Sequence, residues 1–371
     1  MLINELPDDC LLAIFDYLNN LDDLINCYKV CTKWSHLIPE RTKKVKYFME
    51  DPGYASDYVY YQGRDLIDGT CLSTLFPSLI MAEFSFIFDL KAKFEDTVAF
   101  VRNQESLKAL MIYKETDEYC DKLEMLSLTF VEKSFLRNVS SVKQLYILYA
   151  HLDFFSDAHY FQNLERLHIL LEDKQYDGPV LEKLKVVELG FTADEKTNYY
   201  GFQFMDSCPN LQSAHISVQG NLLCVNETLK HERLQDLVLH FMDQIEWDGF
   251  EGVFRKYPNL KHLRLKGKLF LQDENIEQLV NILPNLVLLD VSGCIGLPIV
   301  SNRAADYVTN YCARHGRSIK FYYDENRHEI KSDWPQLSTK IEKISRGFDF
   351  MKHCFLKKFK ELPFFLIPID Y

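Results

Sequence analysis

Cysteine, histidine and glutamate side chains form two groupings in this 371-residue chain that could bind a metal. Cys27 and Cys31 have the i, i+4 spacing of one helix face, but no second cysteine pair completes a zinc site. His168, Glu188 and His215 could meet only if their segments are neighbouring strands, and they would then suit zinc. We expect instead a solvated polar row with one ion pair, and therefore no metal and no cofactor.

The chain lacks the short motifs that mark common active sites. It contains no G-x-S-x-G, no G-x-x-x-x-G-K-[ST], no G-x-G-x-x-G and no H-E-x-x-H. Its ten cysteines are scattered without a C-x-x-C pair, which favours reduced thiols in the cytoplasm or nucleus. We expect a protein that is not an enzyme; a metal-dependent enzyme built on a strand face is a distant alternative.

A repeated phrase organises most of the chain. "CPNLQSAHI" (208–216), "YPNLKHLRL" (257–265) and "LPNLVLLDV" (283–291) share the pattern L-x-x-L-x-L. In a relaxed form, the pattern starts at Leu79, Leu107, Leu123, Val142, Leu164, Leu184, Leu211, Leu234, Leu260 and Leu286. The steps between these starts run from 16 to 28 residues. Such a period is typical of a solenoid, in which stacked units bury an apolar side that none can bury alone.

Runs with helical spacing precede several of the repeated phrases. Phe250, Val253 and Phe254 fall on one helix face, and Pro258 ends that run. The pattern resembles the leucine-rich repeat over roughly residues 75–325. The resemblance implies an α/β fold, an irregular horseshoe with a parallel sheet on its concave face and helices or loops on its convex face. An ordinary α/β sheet covered on both faces is the alternative, but it would need longer β-branched strands.

The fifth position of each repeat lies between two apolar positions and should point outward to the concave face. We call these residues the fifth-position row: Glu83, Met111, Ser127, Tyr146, His168, Glu188, His215, Val238, Arg264 and Asp290. With strands ~4.8 Å apart, the row suits a protein surface better than a small molecule. The predicted target-binding residues are Tyr146, His168, Glu188, His215 and Arg264.

The stretch "LPDDCLLAIFDYL" (6–18) predicts an amphipathic helix near the start of the chain. Leu11, Ile14, Phe15 and Leu18 fall at i, i+3, i+4 and i+7. Two shorter helical stripes follow before residue 39. Three helices of this size are too small to be stable alone, so we expect them to pack on the repeats or on another protein.

The three helices resemble an F-box. The predicted adaptor-binding residues are Leu6, Pro7, Leu11, Ile14, Phe15, Leu18, Leu24, Val30 and Trp34. The resemblance implies docking onto a Skp-type adaptor of a cullin–RING ubiquitin ligase. The chain would then be the substrate-recognition subunit of an SCF (Skp–cullin–F-box) E3 ligase that binds a target protein through its repeats, leading to ubiquitination and proteasomal degradation. The alternatives are a leucine-rich-repeat scaffold without a ligase role and an N-terminal cap that only closes the solenoid.

Charge and length set the remaining expectations. The net charge of −12 argues against nucleic-acid binding, and no apolar run approaches the ~18 residues of a membrane span. We predict the following division of the chain: an F-box at 1–44, a connecting segment or irregular first repeat at 45–74, the repeat solenoid at 75–325 and a C-terminal cap or tail at 326–371.

Overall fold

The computed structural model describes most of the chain. The described residues are 3–52, 56–113, 122–130, 140–149, 157–172, 175–192, 198–220, 222–245, 247, 250–296 and 300–330. They divide into two compact units, of which the first ends at Val142 and the second begins at Lys143. The predicted tail lies outside the described residues from position 331 onward.

The first unit begins with the three predicted helices. They are α1 (Asp8–Phe15), α2 (Leu21–Tyr28) and α3 (Thr32–Thr42). Pro7 immediately precedes α1, where its missing N–H costs no hydrogen bond. The Asn20 side chain caps α2 by accepting a 2.8 Å hydrogen bond from the backbone N–H of Asp22.

Five parallel strands and three short helices complete the described part of the first unit. The strands are β1 (Tyr47–Met49), β2 (Tyr58–Tyr60), β3 (Met81–Phe84), β4 (Ala109–Ile112) and β5 (Met125–Phe130). The helices are α4 (Leu72–Leu75), α5 (Phe86–Lys91) and α6 (Phe94–Arg102). The strand order is β2-β1-β3-β4-β5, so β2 lies on one side of β1, and β3, β4 and β5 follow in turn on the other side.

The second unit continues the alternation of strands and helices. Its strands are β6 (Gln144–Tyr149), β7 (Arg166–Glu172), β8 (Val186–Thr192), β9 (Asn198–Tyr199), β10 (Ser213–Val218), β11 (Leu222–Leu223), β12 (Asp236–Ile245), β13 (His262–Leu269), β14 (Leu288–Cys294) and β15 (Lys320–Tyr322). Its helices are α7 (Gly201–Asp206), α8 (Phe250–Arg255), α9 (Asp273–Ile282) and α10 (Asn302–His315). The parallel order is β6-β7-β8-β10-β12-β13-β14-β15, and β9 pairs separately with β11.

The strands follow the repeated phrase closely. Each predicted start is followed two residues later by a strand, and adjacent strands pair at the same repeat position. For example, Arg166 pairs with Val186, which pairs with Ser213. The residues at the first, fourth and sixth positions are buried throughout, because alternate side chains share one face. The predicted α/β class, N-terminal helices followed by parallel repeat strands with helices between them, is confirmed.

The segment 45–74 is hydrogen-bonded both to the N-terminal helical region and to the first repeat strand. It contains β1 and β2, and β1 pairs with β3 as well as with β2. The backbone N–H of Tyr60 donates a 2.9 Å hydrogen bond to the carbonyl of Asn19, just before α2. The segment therefore joins the N-terminal helices to the first repeats through backbone hydrogen bonds.

Candidate functional site

The three N-terminal helices pack around a small core of their own. Leu11, Phe15, Leu24 and Trp34 are all buried, and the rings of Phe15 and Trp34 meet edge to face with centroids 5.0 Å apart. These four predicted adaptor-binding residues hold the helices together. A partner could touch them only if the helices separated, so the exposed residues must carry any direct contact.

Arg41, in α3, donates hydrogen bonds to residues at and just after the end of α1. Its buried guanidinium donates hydrogen bonds to the Phe15 carbonyl at 3.1 Å and to the Leu18 carbonyl at 3.0 Å. It also donates to the Asn19 side chain at 2.6 Å. Burial lowers the pKa of Arg41, and the nearby Asp16 carboxylate opposes this shift. Arg41 therefore links α3 to the end of α1 and to the turn that follows it, and it adds a second hydrogen bond to the Phe15 carbonyl, which also accepts one from the Leu18 N–H.

Lys33 fixes the residues that precede α1. Its ammonium group donates a 2.7 Å hydrogen bond to the Leu6 carbonyl and lies 3.1 Å from the Asp8 carboxylate. The N-terminal turn that carries Leu6 and Pro7 is thereby held against α3. Sequence reasoning assigned no role to Lys33 or Arg41, because each acts on backbone groups more than 20 residues away.

Apolar side chains lie exposed on the same helices. Ile14 is 42% exposed and Val30 is 53% exposed, while Pro7 is also exposed. Leu6 and Leu18 are half-buried. Of the nine predicted adaptor-binding residues, these five are therefore accessible to a partner.

The fifth-position row is aligned as the repeat predicts. Tyr146 pairs with His168, His168 with Glu188, and Glu188 with His215 across β6, β7, β8 and β10. Arg264 lies two strands beyond His215, and a valine of β12 stands between them. The structure thus brings four of the five predicted target-binding residues onto adjacent strands and separates Arg264 from them.

Neighbouring members of the row bind one another. The Tyr146 ring stacks on the His168 ring with centroids 4.3 Å apart and planes 17° apart. His168 Nδ1 lies 2.6 Å from Glu188 Oε2, which gives the ion pair expected in this row if the imidazole is protonated. At the other end, Arg264 Nε lies 3.3 Å from Asp290 Oδ2.

The prediction that the row points outward as an exposed surface is wrong for its main candidates. Tyr146 is 8%, Glu188 6% and Arg264 5% exposed, whereas His168 and His215 are half-buried. Side chains on strands ~4.8 Å apart cover one another when they stack or pair. Burial also lowers the pKa of Arg264, while the Asp290 carboxylate opposes this shift.

A second polar cluster lies on the same face of the sheet, at the third position of three repeats, two residues before the fifth-position row. Ser213 Oγ donates a 2.7 Å hydrogen bond to Asp236 Oδ2, and His262 Nδ1 lies 2.5 Å from Asp236 Oδ1. All three side chains are buried. A nucleophilic triad needs histidine between serine and aspartate, but here the aspartate stands in the middle. The arrangement therefore links three strands, and it does not activate Ser213.

The family comparison matches the helical start of the chain. The matched region spans residues 3–42, and the model is described as F-box-like. Residues 3–42 are an F-box-like domain. The F-box-like domain contains α1, α2 and α3 together with both positioning side chains, Lys33 and Arg41.

Other comparisons add little. One solved structure in the fold comparison is titled "Crystal structure of LRIM1/APL1C complex"; the alignment is 11% identical and covers 82% of this chain and 77% of that chain, with a TM-score of 0.24. No curated protein matches the chain in sequence. The leucine-rich-repeat character rests on the strand register and on the buried repeat positions.

The F-box-like domain is joined by polar contacts to helices α4 and α5. Thr42 Oγ1 donates a hydrogen bond to the Leu75 carbonyl in α4. The ammonium group of Lys91, in α5, lies 3.0 Å from the Asp22 carboxylate in α2. Side chains of two F-box helices are thus bonded to the helices that follow them within the first unit.

Metal-binding clusters and membrane-spanning helices are absent from the described residues. In those ranges, no cluster of three His, Cys, Asp or Glu side chains has the geometry to hold a metal ion. Across the same part of the chain, no helix combines the length and apolar character that crossing a bilayer requires.

Proposed function

We propose that this chain is the substrate-recognition subunit of an SCF-type ubiquitin ligase. The observation that carries the proposal is an F-box-like domain at residues 3–42 that is bridged by Asn20 to Tyr60 in β2, the edge strand of the parallel sheet to which the repeat strands belong. In this role the F-box binds a Skp-type adaptor attached to a cullin–RING core, and the repeats hold a target protein. Ubiquitination and proteasomal degradation of the target follow.

The adaptor side of the proposal depends on the exposed apolar surface of the F-box. Pro7, Ile14 and Val30 offer apolar area that would leave water on binding, at ~25 cal/mol per Å². Lys33 holds the turn before α1 in place, so little ordering entropy is lost when a partner covers it. The surface is therefore apolar and pre-organised, as a stable protein contact requires.

Exposed residues of the repeats are better candidates for binding a target protein than the buried fifth-position row. Phe86 follows β3 and Tyr113 follows β4, and their rings meet edge to face with centroids 5.3 Å apart. Both rings are exposed. Aromatic side chains held in a fixed geometry are typical anchors of protein interfaces. We include Phe86 and Tyr113 in the proposed target-binding surface.

The proposed mechanism is proximity. Holding a target beside a ubiquitin-charged enzyme raises the effective concentration of its lysines, so no residue of this chain needs to react. In this proposal the chain is not itself an enzyme, needs no cofactor, and works in the cytoplasm or nucleus.

Affinity purification tests the ligase role directly. The tagged full chain is recovered from cells treated with a proteasome inhibitor, and the captured proteins are identified by mass spectrometry. We expect a Skp-type adaptor and a cullin with the wild type, and neither with the double variant Leu6→Ala/Pro7→Ala. Val180→Ala, at an exposed position in the second unit, is the matched control and should retain both. Recovery of repeat-bound proteins without adaptor or cullin would instead favour a repeat scaffold with no ligase role.

A further inference from the structure

Basic residues alternate along β13 in the second unit. His262, Arg264, Lys266 and Lys268 stand at every second position of this strand. His262 and Arg264 are buried, and each faces a buried carboxylate on a neighbouring strand. Lys266 is half-buried and Lys268 is exposed. The strand therefore carries positive charge from its buried ion pairs to its more exposed C-terminal end.

A hydroxyl, an imidazole and an ammonium group stand side by side at the seventh position of three repeats. His240 of β12 pairs with Ser217 of β10 on one side and with Lys266 of β13 on the other. We call these three half-buried residues the seventh-position group. They share the face of the fifth-position row, because side chains two residues apart on a strand point the same way. Each of them can donate a hydrogen bond to a negatively charged oxygen.

Gly293 keeps one side of this group clear. It pairs with Lys266 in β14, just after a shift in register between the two strands. A Cβ atom at Gly293 would lie only 2.9 Å from the Lys266 Cβ atom and 3.8 Å from Arg264 Nη2. Any larger residue would therefore crowd Lys266 and approach the Arg264 guanidinium. Because the residue is glycine, no side chain from this position covers the two cationic groups.

Two positive charges act on the middle of the seventh-position group. Burial lowers the pKa of His240, and the charges of Lys266 and Arg264 lower it further. The carboxylate of Asp290 is fully buried and already engaged: Oδ1 accepts hydrogen bonds from the Ser292 backbone N–H at 3.0 Å and from its hydroxyl at 2.7 Å, and Oδ2 faces Arg264. An anion beside His240 would therefore be attracted by both cations.

We propose that Ser217, His240 and Lys266 form an anion site that binds a carboxylate or phosphate group on an acidic segment of a target protein. Charge complementarity decides the choice of partner. The chain as a whole has a net charge of −12, so it repels acidic proteins in general and attracts them only where cations are concentrated. The inference rests on the proposed function for the identity of the partner as a ligase target.

Calorimetry with model ligands tests the site on the purified full chain. The ligands are hexaglutamate, hexaglutamine, a hexapeptide of one phosphoserine and five glutamines, and single-stranded hexathymidylate. We expect at least one anionic peptide to bind about tenfold more tightly than hexaglutamine at low salt, and this preference should weaken as salt is added. The peptide that binds distinguishes a carboxylate from a phosphate. Equal affinity for all three peptides, or a preference for hexathymidylate over both anionic peptides, would overturn the proposal.

Removing one charge locates the site. Lys266→Gln should weaken binding of the anionic peptide about fivefold or more, because it removes a cation of the seventh-position group. Lys183→Gln is the matched control, since Lys183 is exposed before β8, at the opposite end of the strands, and should retain the wild-type affinity. Equal weakening by both changes would show that the peptide does not bind at this group.

A measurement on the wild type covers the case in which Lys266→Gln disturbs the fold. The ring signal of His240 is followed by NMR and is assigned by its loss in His240→Gln. We expect the anionic peptide to shift this signal and to raise the pKa of His240, because a nearby anion stabilises the imidazolium form. An unchanged His240 signal at saturating peptide would overturn the proposal. No adaptor is present in these experiments, so their failure would leave the ligase role standing, and failure to recover adaptor and cullin from cells would leave the anion site standing.

Discussion

Lys91 and Asp22 form a charge pair that joins α5 to the second F-box helix. The Lys91 ammonium group lies 3.0 Å from the Asp22 carboxylate, and it also donates a 3.0 Å hydrogen bond to the Gln62 carbonyl. The Lys91 side chain is fully buried. A buried charge is costly unless it is paired, so this contact favours one orientation of the F-box on the first strands.

Removing the charge of Asp22 should destabilise the first unit. In the variant Asp22→Asn, the buried Lys91 ammonium group keeps the Gln62 carbonyl and loses its carboxylate. We expect the free energy of unfolding to fall by about 1–3 kcal/mol, measured by urea denaturation. The matched control is Asp16→Asn, whose partner Lys44 lies 2.5 Å away in an exposed pair. That change should cost less than ~1 kcal/mol, and equal losses would contradict a special role for Lys91.

Arg264 should act as a structural residue. Its guanidinium faces the fully buried carboxylate of Asp290 at 3.3 Å, so Arg264→Ala leaves a buried charge without this partner. We expect a loss of about 3–5 kcal/mol in the free energy of unfolding of the second unit. Arg303→Ala breaks an exposed pair with Glu274 at 3.2 Å and should cost less than ~1 kcal/mol. A small effect at both positions would show that the pair of Arg264 and Asp290 does not stabilise the second unit.

The repeat strands could be predicted because their signal is local. Residues at positions one, four and six of each phrase are apolar, and the two-residue alternation of a strand decides which side they occupy. Register follows, since pairing Ser213 with Asp236 and Asp236 with His262 aligns the apolar core residues of all three strands. The same reasoning found α8 and α9, which end before Pro258 and Pro284.

The burial of the fifth-position row could not be predicted, because it depends on contacts between residues that are distant in sequence. Alternation shows that Tyr146 points away from the leucine core, but its burial involves stacking on His168, 22 positions later. Arg41 reaches back to the carbonyl of Phe15 across 26 positions. No spacing rule within one helix or strand signals such contacts. They arise only when the assembled elements are packed together.

Cys294 should react slowly with alkylating agents in the folded chain. Burial raises the pKa of its thiol to about 12, and the Asp290 carboxylate acts in the same direction. Because the thiolate is the nucleophile, we expect iodoacetamide at pH about 8.5 to modify exposed Cys10 much faster than half-buried Cys294 in the folded protein, and this difference should disappear on unfolding. Mass spectrometry of the digested protein measures both sites. Rapid modification of Cys294 in the native protein would contradict this assignment.

The Cys294 thiol should also lower the free energy of unfolding at high pH. Above about pH 9 the unfolded thiol ionises, whereas the folded thiol stays protonated until about pH 12. The folded state then binds more protons, so this group lowers the free energy of unfolding by up to about 1.4 kcal/mol per pH unit in that window. Cys294→Ala should have a flatter pH dependence than the wild type in urea denaturation between these limits. Parallel curves for the two proteins would show that the thiol does not contribute.

The exposed apolar residues of the F-box should decide adaptor affinity. Ile14 and Val30 are both well exposed, so the double change Ile14→Asp/Val30→Asp should alter stability by no more than ~1 kcal/mol. On binding, however, each new carboxylate would have to leave water for an apolar contact, which is strongly unfavourable. We expect affinity for a purified Skp-type adaptor to fall at least about a hundredfold, measured by calorimetry with the full chain.

Two further variants make this result specific. Val180→Asp introduces the same charge at an exposed apolar position of the second unit and should leave adaptor affinity unchanged. Trp34→Ala removes a buried ring that meets Phe15, so it should lower both the melting temperature and adaptor affinity. Loss of affinity without loss of stability, seen only for the Ile14 and Val30 change, would distinguish a docking surface from a core. If that variant binds the adaptor as tightly as the wild type does, the docking surface does not include Ile14 and Val30, and the proposed adaptor contact must be placed elsewhere on the F-box.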